Sequence, residues 1–319
     1  MTAAPRTLRL GLAGTGYWAR STHAPALAST DGVELAAVWG RNPQAARDLA
    51  ARYAAASYPG FGDFLAAVDA VAFSVPPDVQ AGLAAQAAAA GKHLLLEKPV
   101  ATSRAGAARL AEAVADARVA SVVFFTALFR PDVRSWLAQV TGQGGWAGGS
   151  AVWLATSLAE TSPFNTPWRR DKGGLWDVAP HAVALLEASL GPVLSVTADA
   201  GPPDVSHLIL HHASGVTSTV TATLRAAEAA EGFELYLWGE AGRSALPADP
   251  NEPVSQLRVA LAELADNARS GAVAHPCDVH LGRRVTAVLA SAEEQIERNS
   301  RGWPPPSGPA ASPPGSDPA

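Results

Sequence analysis

The chain has 319 residues, 48% of them hydrophobic and 17% charged, and a net charge of −5. This is the composition of a folded chain long enough for two cores, and it excludes a disordered one. The mild acidity, with no basic block interleaved with aromatics, argues against nucleic-acid binding. The lone cysteine, Cys277, forms no internal disulfide and suits packing in a cytoplasmic protein. The opening MTAAPRTLRLGLAGTG reads as a strand entering a glycine turn rather than a signal peptide, and no apolar run is long enough to predict a membrane span.

TLRLGLA (7–13) predicts the first strand, and a helix through 23–29 follows the glycine turn. VELAAVW (33–39) is the second strand. Asn42 is placed to cap a helix from Pro43 to about Tyr53, with the proline at the first helical position. A short helix over 61–68 leads to DAVAFSV (69–75), the third strand. An alanine-rich helix over 78–90, stopped by Gly91, precedes KHLLLEK (92–98). A helix over 103–118, with Ser103 as its cap, precedes ASVVFFTALF (120–129), read as a fifth strand. Strands alternating with helices imply right-handed crossovers and a parallel sheet covered on both faces. The expectation over 1–126 is therefore a Rossmann-type, doubly wound α/β domain.

The pattern changes after Arg130. Strand-like runs at 150–157, 194–200, 207–213, 216–224 and 233–239 lie mostly side by side, with helices at about 178–190, 254–269 and 278–298. This predicts an α+β domain on a mostly antiparallel sheet over 127–300. Residues 301–319 are dominated by Pro, Gly, Ser and Ala and are expected to form a disordered tail.

Three stretches carry candidate chemistry. GTGYWA (14–19) fits G-x-G-x-x-[GA] between a strand and a helix, so Gly14, Thr15, Gly16, Tyr17 and Trp18 are candidates to cradle a dinucleotide pyrophosphate. The second strand ends in VWGRN (38–42), without the acid that reads a ribose 2′-hydroxyl. Arg41 and Asn42 stand there instead, which favours NADP(H) and leaves NAD(H) open. EKPVA (97–101) sets Lys98, one of only three lysines, at the carboxyl end of a parallel strand. GGLWDVAPHAV (173–183) places Asp177 and His181 four apart, one helical face, with Pro180 tolerated in a first turn.

Together with VDAVAFSVPP (68–77), AGKHLLLEKP (90–99) and KGGLWDVAPH (172–181), the glycine fingerprint closely resembles the Gfo/Idh/MocA oxidoreductases, over about residues 8–298. The resemblance implies that Lys98, Asp177 and His181 form the catalytic group. It adds Ser74, Pro76, Pro77, Glu97 and Lys98 to the cofactor contacts. It also implies hydride transfer between a nicotinamide cofactor and a hydroxyl or carbonyl of a sugar, cyclitol or related molecule. In that scheme His181 exchanges the proton, Lys98 stabilises the oxygen, and Asp177 orients the substrate or tunes His181. Arg130, Trp168 and Arg169 are expected at the substrate beside the catalytic three, with Phe129, Lys172 and Trp176 as further candidates. Related proteins pair through the free face of the second sheet, so a dimer or tetramer is expected.

Two positions depart from the family pattern. Gln80 stands where members often carry a histidine, and the glycine run before Asp177 is only Gly173-Gly174. No Tyr-x-x-x-Lys, His-Glu-x-x-His or Gly-x-Ser-x-Gly pattern supports another enzyme class, and no metal site is expected. The competing reading is a dinucleotide-binding sensor of the same fold that turns nothing over.

Overall fold

Six parallel strands build the first lobe of the structure, a computed structural model that describes residues 7–302. They are β1 (Leu8–Ala13), β2 (Val33–Trp39), β3 (Ala56–Ser57), β4 (Ala70–Phe73), β5 (His93–Leu96) and β6 (Ser121–Val123), in the order β3-β2-β1-β4-β5-β6. The connecting helices are α1 (Ala24–Ser29), α2 (Pro43–Ala51), α3 (Phe61–Ala66), α4 (Pro77–Ala89) and α5 (Arg104–Ala117). The chain winds outward from β1 to β3, then restarts on the other side of β1 with β4. That reversal opens a crevice beyond the carboxyl ends of β1 and β4, where such sheets bind ligands. β4 is buried along its whole length, as a strand covered on both faces must be.

Helix α2 begins as expected, with Asn42 accepting hydrogen bonds from the Gln44 and Ala45 amides. Ser103 caps α5 through the Gly106 amide. The expected fifth strand is shorter than its apolar run. It ends at Val123, and Thr126–Phe129 turns in a 3-10 helix while Phe124, Phe125 and Phe129 fill the core. A continuous apolar run signals burial and not which buried element forms. A π-helical turn over Ala19–His23 also precedes α1.

The second lobe contains α6 (Pro131–Gln143), β7 (Trp146–Leu154), α7 (Pro167–Asp177), α8 (Ala179–Leu190), β8 (Val193–Gly201), β9 (Val205–His212), β10 (Thr217–Thr223), β11 (Gly232–Gly239), β12 (Gly242–Ala245), α9 (Pro253–Ser270) and α10 (Val279–Gly302). The sheet order is β12-β11-β7-β10-β9-β8. All its pairings are antiparallel except β7 with β10. On β9, Leu208 and Leu210 face the core while Ile209 faces out, the alternation of a half-buried strand.

Helices α6 and α7 were not expected from the sequence. For α6 the signal is Pro131 at the first position and an apolar stripe of Val133, Trp136 and Val140. The last two helices reach back to the first lobe: α9 packs on α1 and β5, and α10 packs on α5 and β8. No helix among the described residues is long and apolar enough to cross a membrane. The expected tail lies outside the described residues, apart from Arg301 and Gly302, which end α10.

Candidate active site

A cavity of about 890 Å³ lies at the carboxyl ends of the parallel strands and is closed on its far side by the second lobe. One end is built by the glycine turn. Gly14 has φ +137°, and a Cβ there would sit 2.2 Å from the Ser74 carbonyl oxygen, so only glycine lets the turn pass beneath the end of β4. At Gly16 a Cβ would meet nothing within 4 Å, because that face opens to the cavity. Arg41, at the end of β2, lines the same end and is exposed.

The E-K-P segment is held from two sides. The buried Gln80 side chain donates to the Glu97 carbonyl at 2.8 Å and accepts from the Glu97 amide at 2.9 Å, which locks the backbone that carries Lys98. Glu97 Oε1 accepts from Trp18 Nε1 at 2.7 Å and pairs with His23 Nε2 at 2.8 Å. The glutamate thereby ties the strand end to the turn after β1.

Opposite stands the segment carrying Asp177 and His181. Both glycines before it are forced. Gly173 has φ +62° and breaks the helical path within α7, and a Cβ there would lie 2.0 Å from Asp204 Oδ1. Gly174 lies against β10, where a Cβ would be 2.7 Å from the Thr223 Cα. Asp204 accepts from the Gly174 amide at 3.2 Å and the Leu224 amide at 2.8 Å, joining the restarted helix to the sheet. Asp177 closes α7 and His181 lies in the first turn of α8, with Val178 between the helices. The expected single helix is therefore two, nearly continuous, and both side chains still reach one cavity.

Lys98 Nζ donates to the Asp177 backbone oxygen at 2.5 Å and to Oδ1 at 3.0 Å, and Arg169 Nε donates to Oδ2 at 2.7 Å. Burial alone would raise the Asp177 pKa, but the two flanking cations outweigh it and hold the carboxyl well below its ordinary value. His181 is buried, its ring 5.3 Å from Trp153 and 6.3 Å edge-on from Phe125, with no hydrogen bond from the protein to its imidazole nitrogens among the described residues. Burial and the nearby Lys98 charge push its pKa well below 6.5 against a smaller opposing effect of Asp177, so the imidazole is neutral.

Of the residues expected at the site, Gly16, Tyr17, Trp18, Arg41, Ser74, Pro76, Pro77, Glu97, Lys98, Arg130, Trp168, Arg169, Asp177 and His181 all line the cavity. Gly14, Thr15 and Asn42 do not: Gly14 packs under β4, the Thr15 carbonyl accepts from Arg20, and the Asn42 oxygen is spent on capping α2. Phe129 is fully buried in the core, and Trp176 and Lys172 both bond Glu293 on α10 instead. Gln80 lies beneath the site as a backbone clamp rather than at the pocket's edge. Trp153, Phe164, Phe233 and Gln256 line the cavity unannounced by any motif. Phe164 lies in an irregular segment and packs against Tyr17 at 5.3 Å, Trp18 at 5.8 Å and the Arg169 guanidinium at 5.2 Å.

A doubly wound sheet with a glycine turn at its switch point, facing a second lobe that supplies an acid and an imidazole, defines a two-lobed dinucleotide-binding protein. Residues 8–125 match the oxidoreductase family with an NAD-binding Rossmann fold and residues 147–244 match the GFO/IDH/MocA C-terminal domain, so the chain belongs to the Gfo/Idh/MocA family. It is 30% identical to an uncharacterized oxidoreductase, sll0816, of Synechocystis, over 62% of this chain and 55% of that protein, about half that relative's length. It is 28% identical to inositol 2-dehydrogenase of Rhizobium meliloti (strain 1021), over 78% of each protein. In fold it is similar to levoglucosan dehydrogenase in complex with NADH and levoglucosan, with a TM-score of 0.79 at 18% identity over 91% of this chain and 97% of that one.

Proposed function

We propose that this protein transfers a hydride between a nicotinamide dinucleotide and a hydroxyl-bearing carbon, or the matching carbonyl, of a sugar, cyclitol or related small molecule. The observation that carries this reading is the convergence of Lys98, Asp177 and His181 on the cavity that the glycine turn also lines. The residues fit a dinucleotide: the glycine cradle leaves open space at Gly16, and Arg41 is uncommitted among the described residues. When bound, the nicotinamide accepts or supplies the hydride.

The chain's own groups do the rest. Two Lys98 donor positions are occupied by Asp177, and the third is free to hydrogen-bond the substrate oxygen and stabilise its developing charge. The neutral His181 takes the hydroxyl proton as the alcohol is oxidised. Asp177 has both carboxylate oxygens engaged, so it aims Lys98 and Arg169 and acts on the substrate through them. Arg130 spends its donors on Asp132 and on the Pro247 and Ala248 carbonyls, mooring one wall of the cavity.

Arg41 and the absence of an acid after β2 support NADP(H) over NAD(H), and a turnover preference for NAD would reverse that choice. A cytoplasmic setting goes with this reading, since buried Cys277 is the lone cysteine and the fold needs no disulfide. Self-association through the second sheet belongs to it too, supported by exposed Leu194, Ile209 and Trp238.

The test follows nicotinamide absorbance at 340 nm while sugars, inositols and small carbonyls are offered with each dinucleotide. Conversion supports the reading. Binding of the dinucleotide with no conversion of any compound would overturn it in favour of a sensor.

A further inference from the structure

The cavity lining includes side chains that the proposed chemistry does not use, among them Gln256, Trp153 and Phe233. We propose that these form a subsite for an uncharged, hydroxyl-bearing part of the substrate, with Gln256 as its specificity-determining hydrogen-bonding residue and Trp153 and Phe233 as its apolar wall. The inference deepens the oxidoreductase reading and rests on it for the word substrate.

Gln256 lies in the first turn of α9, is 4% exposed and lines the cavity. Its Oε1 is buried without a hydrogen-bond partner, and its carboxamide makes no hydrogen bond to any described residue. A buried amide oxygen left unpaired is costly, and on a residue that lines a cavity a ligand that reaches it relieves that cost. A hydroxyl, which both donates and accepts, can satisfy either end of that amide. In the same lining, Trp153 and Phe233 stack at 4.2 Å between ring centres and 27° between planes, and Trp153 continues to His181. That surface suits the C–H face of a ring whose reacting carbon lies at Lys98 and His181.

The charges decide what the subsite rejects. The cavity lining carries four cationic side chains against five acidic ones. Three of the four cations are committed to acids: Lys98 and Arg169 share Asp177, and Arg130 is held by Asp132 and Asp249. The fourth, Arg41, lies at the dinucleotide end. A phosphate or carboxylate bound in the subsite would therefore meet no cation that lacks an acidic partner, since Arg41 lies at the dinucleotide end.

The experiment measures equilibrium binding to the full chain saturated with the reduced dinucleotide, so that alcohols bind without reacting. The probes are D-glucose and myo-inositol, each against charged counterparts: glucose 6-phosphate, glucuronate, UDP-glucose and inositol monophosphate. A neutral member is expected to bind at least about tenfold tighter than its charged counterparts. Gln256→Met removes the amide at nearly constant volume and is expected to weaken that binding about tenfold or more. It should leave the melting temperature and the dinucleotide Kd unchanged, since the amide has no protein partner to lose. Equal or tighter binding of a charged counterpart, binding of no neutral member, or a shift of the dinucleotide affinity in Gln256→Met would overturn the subsite. Absorbance at 340 nm with the oxidised dinucleotide separates the two claims. Selective binding of a neutral polyol with no turnover of it or of any other compound offered leaves the subsite standing and defeats the oxidoreductase reading.

Discussion

At the scale of single residues the account turns on charge. His181 is neutral because burial and the Lys98 ammonium both disfavour its protonated form. A base whose pKa lies well below 6.5 stays competent in mild acid, where an ordinary imidazole is protonated. The pH profile of kcat/KM for alcohol oxidation should therefore show no inflection near 6.5 and should fall only at more acidic pH. An inflection near 6.5 would mean that His181 is not held below its ordinary value in the working enzyme. Asp177→Asn keeps the shape and removes the charge shared by Lys98 and Arg169. It is expected to lower kcat by about 10²-fold or more, as loss of a positioned acid–base partner does, while dinucleotide binding is retained. That Lys98, Asp177 and His181 meet at one cavity was legible in the sequence because each stood in a spaced motif. Trp153, Phe233 and Gln256 were not, because strands and helices far apart in the chain bring them to the cavity and no local pattern marks them.

At the scale of elements, two devices set the geometry of the site, and each predicts a distinct failure. The first is the pair of glycines before Asp177. Alanine at Gly174 would press its Cβ onto the β10 backbone, 2.7 Å from the Thr223 Cα, where no side chain can give way. Overpacking of this kind costs about 1–3 kcal/mol, so Gly174→Ala should melt several degrees lower and lose activity at temperatures where it remains folded. The second is Gln80. Gln80→Leu leaves the Glu97 amide and carbonyl buried without partners, at about 1–3 kcal/mol. Because this clamp lies beneath Lys98, kcat should fall more than KM rises, and Gln80→His should restore part of the loss if its ring reaches the same carbonyl. Element order in the first lobe could be read from alternation and caps. The break at Gly173 could not, since a Gly-Gly pair shows that the backbone needs freedom but not which β-strand it approaches.

At the scale of the whole molecule, partly exposed ion pairs hold the helices that border both lobes to one another. Glu263 on α9 accepts from Arg134 on α6 and pairs with His275 before α10. Burial would raise its pKa, but the His275 and Arg134 hydrogen bonds outweigh that and bring it down from 4.5 to about 2. Since the folded value lies below the unfolded one, this cluster stabilises the protein above pH 4.5, and the stabilisation is lost as the pH falls toward 2. Glu263→Gln should be less stable at neutral pH and should lose less stability than the native chain over that acid range, a difference urea titrations at each pH would show. The two-sheet architecture was legible from the change of pattern after Arg130, whereas the return of α9 and α10 onto the first lobe was not, because nothing local to a helix names its distant partner. The most direct measurement is a crystal structure of the ternary complex with dinucleotide and a neutral polyol that binds. The account predicts one substrate oxygen within about 2.6–3.2 Å of both Lys98 Nζ and a His181 ring nitrogen. A polyol bound with its oxygens touching neither side chain, or seated outside the cavity they share, would contradict it.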